Sequence, residues 1–154
     1  MSSIHATCIV VGKTGVLIRG ASGSGKSSLA LRMIDGEGFG LHEKILRTRL
    51  VADDQVVLRG KGKKLVASAP EKINGLIEIR GIGILPAKHK RKTRVKLVVD
   101  LGPAVSIPRL PEDAEGKIEL EGIRLRRIFL DAASPSAASA LRAAVSQLRP
   151  RKKS

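Results

Sequence analysis

Gly20-Ala21-Ser22-Gly23-Ser24-Gly25-Lys26-Ser27 fits the pattern G-x-x-x-x-G-K-[ST] without a mismatch. Glycines let a backbone wrap so that several N–H groups face one phosphate chain, and a helix that follows adds its positive N-terminal end. In that pattern Lys26 reaches the β and γ phosphates and the Ser27 hydroxyl ligates magnesium. The flanks supply the context the motif requires. Gly15 to Arg19 is apolar and rich in branched side chains, as a strand leading into the loop would be. From Lys26 to Asp35, Leu29, Ala30, Met33 and Ile34 recur at helical spacing, and Gly36 and Gly38 stop the helix. Strand, glycine loop and helix in that order read as an α/β nucleotide-binding unit rather than a flexible linker.

Outward from the loop, His5 to Val11 forms a second apolar run, joined to the first through Gly12-Lys13-Thr14-Gly15 as a hairpin. Glu37 to Arg49 has weak periodicity and reads as a loop or short helical excursion before a brief buried strand, Leu50-Val51-Ala52. Gln55 to Arg59 and Leu65 to Ser68 flank the turn Gly60-Lys61-Gly62-Lys63-Lys64 as another hairpin. Ile73 to Leu85 suggests a short helix or turn followed by a tight segment around Gly75, Gly81 and Gly83. A basic block, Lys88-His89-Lys90-Arg91-Lys92, precedes a strand at Val95 to Val99 and Asp100. Pro103, Pro108 and Pro111 mark a loop, and Lys117 to Leu120 and Leu125 to Leu130 are late strands. Ser134-Pro135 reads as a helix start, with Leu141, Val145 and Leu148 as the apolar stripe.

Composition limits the function classes. The 154 residues suit one domain, and 28% charged with 42% hydrophobic residues is ordinary for a folded chain. No apolar stretch approaches the ~20 residues of a membrane-spanning helix, and Met1-Ser2-Ser3 lacks a secretory start, so a cytoplasmic location without a membrane partner is expected. The single cysteine, Cys8, excludes an internal disulfide and any multi-thiolate metal site; it reads as a small buried hydrophobe. Twenty-nine basic against fourteen acidic side chains give +15, which favours anionic company: nucleotide phosphates, nucleic acid or an acidic protein surface. With no Trp, no Tyr and only Phe39 and Phe129, platforms for stacking single-stranded bases are missing, which argues against nucleic acid. The basic block at Lys88 to Arg94 and the tail Arg149 to Lys153 fit solvated loops or a docking surface.

Asp53-Asp54, at the end of the short strand, offers the second candidate site. Phosphoryl transfer to a hydroxyl uses one acidic group near the metal and another that takes the acceptor's proton, although an acidic turn capping the next strand reads equally well from the pair alone. Taken in order, Gly20 to Ser27, Leu50-Val51-Ala52-Asp53-Asp54, Ala69-Pro70 and Ile77-Glu78-Ile79-Arg80-Gly81-Ile82-Gly83-Ile84 resemble the catalytic domain of HPr kinase/phosphorylase. Glu-Ile-Arg-Gly is the most specific of these segments.

That resemblance implies an α/β P-loop kinase domain with a mixed β-sheet, similar to phosphoenolpyruvate carboxykinase. The likeness is carried mainly by His5 to about Ile84, thins to Arg109 and is weak beyond; the catalytic domain it implies spans 1–148, with 149–154 as a basic tail. It also implies an ATP- and Mg²⁺-dependent protein serine kinase acting on HPr, the phosphocarrier protein of the phosphotransferase system. In that frame Gly20, Ala21, Ser22, Gly23, Ser24, Gly25, Lys26 and Ser27 bind the nucleotide, and Ser27 and Glu78 hold magnesium. Asp54 serves as base with Asp53 beside it, His5 lies near the phosphate site, Arg80 belongs to the catalytic segment, and Arg109 corresponds to a later active-site arginine. The family's hexamers imply a homo-oligomer. The departures are His5-Ala6 where the family has His-Gly, an unmatched stretch from Gly38 to Arg47, and a start at the matching histidine where longer members carry a regulatory domain. The segment that supports reverse phosphorolysis has only a degenerate counterpart at Arg124-Leu125-Arg126-Arg127, so that activity is not expected. The rival readings are a basic P-loop module that binds nucleic acid and a small-molecule kinase, the latter fitting worst because no arginine-rich lid follows the loop.

Overall fold

Strands buried on both faces at the centre and alternating strands outside them build a mixed sheet that is curled rather than flat. The computed structural model describes residues 1–38, 40–41, 44–109 and 116–148. Its strands are β1 (Ser2–His5), β2 (Thr7–Val11), β3 (Thr14–Arg19), β4 (Thr48–Ala52), β5 (Gln55–Lys61), β6 (Lys64–Ser68), β7 (Leu76–Ile79), β8 (Gly83–Pro86), β9 (Lys92–Leu101), β10 (Lys117–Leu120) and β11 (Ile123–Leu130). Two helices, α1 (Lys26–Asp35) and α2 (Ala137–Gln147), follow β3 and β11. The main sheet runs β1-β5-β6-β9-β3-β2-β4, with β11 added to β9 and β10 to β11, while β7 and β8 form a separate ribbon.

Three strands at the centre, β3, β9 and β11, are parallel. Such strands need crossovers and lie buried, which is why Val16-Leu17-Ile18 and Leu97-Val98-Val99 are wholly apolar and inaccessible. In open sheets of this kind ligands bind beyond the carboxyl ends of the strands, and the glycine loop starts at the carboxyl end of β3. Ile9, Ile18, Leu97 and Val99 pack with Leu29 and Met33 of α1 and Leu141 and Val145 of α2 on one face. Cys8, Val10, Leu17 and Val98 pack on the other with Val56, Leu58, Leu65 and Leu125. β9 serves both layers because its consecutive side chains face opposite sides, and its register against β3 shifts between Gly15 and Val16. There the backbone carbonyl of Arg94 occupies the space a side chain on residue 15 would need, so only glycine fits.

The predicted hairpins around 12–15 and 60–64 form with tighter turns at 12–13 and 62–63, and the helix over Lys26 to Asp35 has the predicted bounds. Four readings change. The apolar run from His5 divides at Ala6, because its first part pairs with β5 and its second with β3 and β4. The expected helix or turn within Ile73 to Leu85 is a 3₁₀ turn over Glu71–Ile73 followed by the β7–β8 ribbon, whose outer strand is exposed throughout and so shows no alternation. Only part of the basic block is loop: Leu50 N donates to Lys88 O and Lys90 N to Leu50 O, so the backbone lies along β4 while the side chains stay exposed. The last helix begins at Ala137 rather than at Pro135, because Ala137 N donates to Ser134 O and closes a turn first. The described part of Gly38 to Arg47 is irregular, anchored by Leu46 N donating to Gly38 O at 2.9 Å. Phe39, Pro111 and the tail from Arg149 lie outside the described residues.

Cys8 is fully buried, and burial pushes its thiol well above the usual thiol range, as the sequence reading requires. A maleimide at mildly alkaline pH is expected to leave Cys8 untouched in the folded chain and to label it fully in concentrated guanidinium. Rapid labelling of native protein would contradict this packing. No described helix is long and apolar enough to cross a membrane.

Candidate active site

The site forms where two chain segments bend together. β2 runs antiparallel to β4 with Cys8 opposite Ala52, which brings Thr7 opposite Asp53. β1 runs antiparallel to β5 with His5 opposite Gln55. The corner of the curled sheet therefore falls at Ala6 on one segment and Asp53-Asp54 on the other, and Ala6 N donates to Asp54 O at 3.2 Å to close it.

Asp54 sits at φ 69°, with Gln55 N donating to Asp53 O at 2.8 Å. A three-residue turn with a positive central φ is a γ-turn, a rare and strained conformation. Its strain is held from both sides. The Asp53 carboxylate is buried and accepts three hydrogen bonds: from Thr7 Oγ1 at 2.9 Å, from Ser27 Oγ at 2.6 Å, and from the backbone N–H of Glu78 at 3.1 Å. His5 Nδ1 lies 3.1 Å from Asp54 O and 3.2 Å from Asp54 Oδ1. Both of those partners accept, so Nδ1 carries the proton. The Asp54 carboxylate itself is 70% exposed and faces the cleft.

Opposite the turn lies the glycine loop. Gly25 adopts φ 99° at the N-terminus of α1, and a Cβ there would meet the Cβ of Ala132 at 2.8 Å. Glycine is thus required twice over, by conformation and by the loop after β11 that backs it. Arg32 of α1 ties down that same loop by donating to Ala132 O and Ser134 O. Lys26 is buried in the wall, its Nζ donating to Gly20 O at 2.9 Å and Ala21 O at 3.1 Å. Ser24 Oγ is buried with no hydrogen-bond partner among the described residues. Backbone donors at a helix N-terminus, an ammonium and an unpaired hydroxyl form a set suited to phosphate oxygens.

Between loop and turn is a cleft of 610 Å³. Its lining brings together His5, Ser22, Gly23, Gly25, Lys26, Ser27, Asp54, Glu78 and Arg80 from the sequence-predicted set. Gly20, Ala21 and Ser24 belong to the same loop, and Asp53 stands behind the turn. Arg109 does not join the others: it is exposed beyond the 3₁₀ turn Ala104–Ser106 and is not among the lining residues. Arg127 also lies elsewhere, its guanidinium 3.7 Å from Asp100 and 4.9 Å from the centre of the Phe129 ring. Asp100 in turn takes Arg19 through two bonds of 2.8 and 2.9 Å. Thr7, Ser28, Leu31 and Ile79 complete the wall and were not singled out from the sequence; for Thr7 the available signal was a lone hydroxyl in an apolar strand.

Among the described residues no three His, Cys, Asp or Glu side chains converge on one point. Ser27 and Glu78 both line the cleft, and one hydroxyl with one carboxylate is a sparse donor set of the kind Mg²⁺ takes jointly with phosphates.

A glycine loop at the carboxyl end of a parallel strand, facing an acidic turn across a cleft, defines a P-loop phosphate-binding domain built on a mixed sheet. The model of the HPr Serine kinase C-terminal domain matches residues 1–153, and the chain belongs to that family. Among curated relatives, the HPr kinase/phosphorylase of Geobacillus thermodenitrificans is 36% identical over 143 residues, 84% of this chain and 42% of that protein. The one from Bordetella pertussis is 33% identical over 144 residues, 86% of this chain and 43% of the relative. The chain thus spans less than half the length of these relatives. The solved structure of the HPr(Ser) kinase/phosphatase from Coxiella burnetii superposes with a TM-score of 0.77 at 26% identity, covering 96% of this chain and 95% of that one.

Proposed function

We propose that the chain is an ATP-dependent serine kinase whose protein substrate is HPr, through which it regulates the phosphotransferase system. The observation that carries the reading is the convergence of Lys26, Ser27, Asp54, Glu78 and Arg80 on one cleft from three separate parts of the chain. A nucleotide-binding module without transferase chemistry would have no use for a strained turn that aims a carboxylate at the phosphate loop.

When bound, ATP with Mg²⁺ supplies the transferable phosphoryl group and neutralises part of its charge. The chain supplies the rest. The Gly20 to Ser27 loop would hold the phosphates through its N–H groups, Lys26 would bind the β and γ oxygens, and Ser27 with Glu78 would hold the metal. Asp54, kept in place by His5 and by its own backbone bond to Ala6, would orient the seryl hydroxyl and accept its proton. Because a serine hydroxyl is a weak acid, that proton moves late, and positioning with charge neutralisation by Lys26 and Arg80 contributes more than deprotonation.

The proposal is confined to forward transfer. The degenerate counterpart of the phosphorolysis segment lies within β11, where Arg127 is engaged with Asp100 and Phe129 rather than the cleft. Self-association and a cytoplasmic location belong to the same reading. The first is supported by the exposed apolar side chains Ile82, Ile84 and Val105. The second is supported by a single cysteine that needs no oxidising compartment.

Incubation of the chain with Mg²⁺, ATP and HPr, followed by mass-spectrometric mapping, is expected to show one phosphate on a serine of HPr. ATP consumption without phosphate on any HPr offered would overturn the proposal.

A further inference from the structure

Asp53 is the most heavily bonded side chain near the cleft, yet it does not line the cleft itself. Its donors come from three different elements: Thr7 from β2, Ser27 from α1, and the Glu78 amide from β7. One carboxylate therefore sets the spacing between the strand that carries the corner, the helix that follows the phosphate loop, and the ribbon that carries Glu78 and Arg80. Asp53 also accepts the Gln55 N–H through its backbone oxygen, so a shift of the Asp53 backbone reaches the γ-turn around Asp54.

Of the three donors, Thr7 is the one whose presence packing does not require. It is fully buried in a strand whose other members, Cys8 to Val11, are apolar, and a valine would fill the same volume. Burying a hydroxyl costs free energy unless it is bonded, and the Thr7 hydroxyl is bonded to Asp53 Oδ1. Ser27 donates to the same oxygen. Ser27 Oγ would be able to hold a metal through a lone pair while still donating to Oδ1, so Ser27 answers to the ligand whereas Thr7 ties Oδ1 to β2. A carboxylate freed from that tie would be able to follow the serine and release the turn.

We infer that Thr7 is a positioning residue: its hydroxyl braces the Asp53 carboxylate and thereby keeps the strained turn that aims Asp54 at the phosphate loop. The inference deepens the kinase reading and, as far as catalysis goes, rests on it. It also makes a claim about the chain without any ligand.

The test compares Thr7→Val and Thr7→Ala, which lack the donor, with Thr7→Ser, which keeps it. Amide hydrogen exchange is followed by NMR at Gln55 and Glu78 in the ligand-free full chain, and kcat and KM are measured for transfer to HPr. Loss of a hydrogen bond to a charged acceptor is expected to speed exchange at both amides by roughly tenfold. The same variants are expected to lower kcat by roughly tenfold with the KM for ATP changed by less than about threefold, and Thr7→Ser is expected to restore both readouts. Wild-type exchange at both amides in the donor-free variants would overturn the brace, as would failure of Thr7→Ser to rescue. If the exchange pattern appears but the unaltered chain transfers no phosphate to HPr, the kinase reading fails while the brace stands.

Discussion

Replacing Lys26 by methionine is expected to reduce phosphate transfer to HPr by roughly 100- to 1000-fold while leaving the fold intact. Such a loss corresponds to about 2.7–4 kcal/mol of transition-state stabilisation. The size of the effect follows from where the ammonium sits. Lys26 is 7% exposed and already directed into the loop by Gly20 O and Ala21 O, so its charge acts within a wall that water barely reaches. Preorganised charge of this kind is worth most where charge builds up on transferring oxygens. Methionine keeps the length and most of the volume of the stem, and the α1 core residues Leu29, Ala30 and Met33 are untouched. The melting temperature should therefore move by no more than about 4 °C. Lys13→Met, on the exposed hairpin turn, is the matched control and should transfer phosphate at the normal rate. Equal activity in Lys26→Met and the unaltered chain would remove the phosphate loop from the chemistry.

What could be read from the sequence, and what could not, divides by the range of the interactions involved. The phosphate loop and α1 were legible because their determinants are local: glycine spacing, a basic side chain and a stripe at helical period. The corner at Ala6 was not. Ala6 lies in an unbroken apolar run, and the strand divides there only because residues about 50 positions further on turn at Asp53-Asp54 and draw the two halves to different partners. The β7–β8 ribbon was missed for the opposite reason. Its outer strand is apolar without being buried, Ile84 and Leu85 being 67% and 40% exposed, so no period-two pattern marks it. Arg109 illustrates a third limit, since a loop rich in proline carries no local signal of the direction in which it departs from the sheet. The phosphate loop and the Asp53-Asp54 and Glu78-to-Arg80 segments were thus all identifiable, but the device that holds them together, centred on Asp53 and Thr7, arises only from pairing between strands.

The Asp54 turn gives the clearest separation of stability from activity. Asp54→Gly is expected to abolish most transfer, by a factor of about 100 or more, while changing the stability of the folded chain by no more than about 1 kcal/mol in either direction. A side chain at φ 69° costs free energy that glycine does not. Set against that gain are the greater freedom of glycine in the unfolded chain, about 0.5–1 kcal/mol, and the exposed contact with His5, worth at most about 1 kcal/mol. The bonds that hold the backbone at Asp54 O and Asp53 O involve no atom of the Asp54 side chain, so they survive the substitution. Asp54→Asn separates conformation from charge, because asparagine tolerates the same backbone but accepts a proton far less readily. It should be as inactive as the glycine variant and as stable as the parent. Thermal melts with transfer assays on the two variants decide the matter. Full activity in either would show that Asp54 does not act on the acceptor, and a loss of stability well beyond about 1 kcal/mol for Asp54→Gly would show that the turn is not strained.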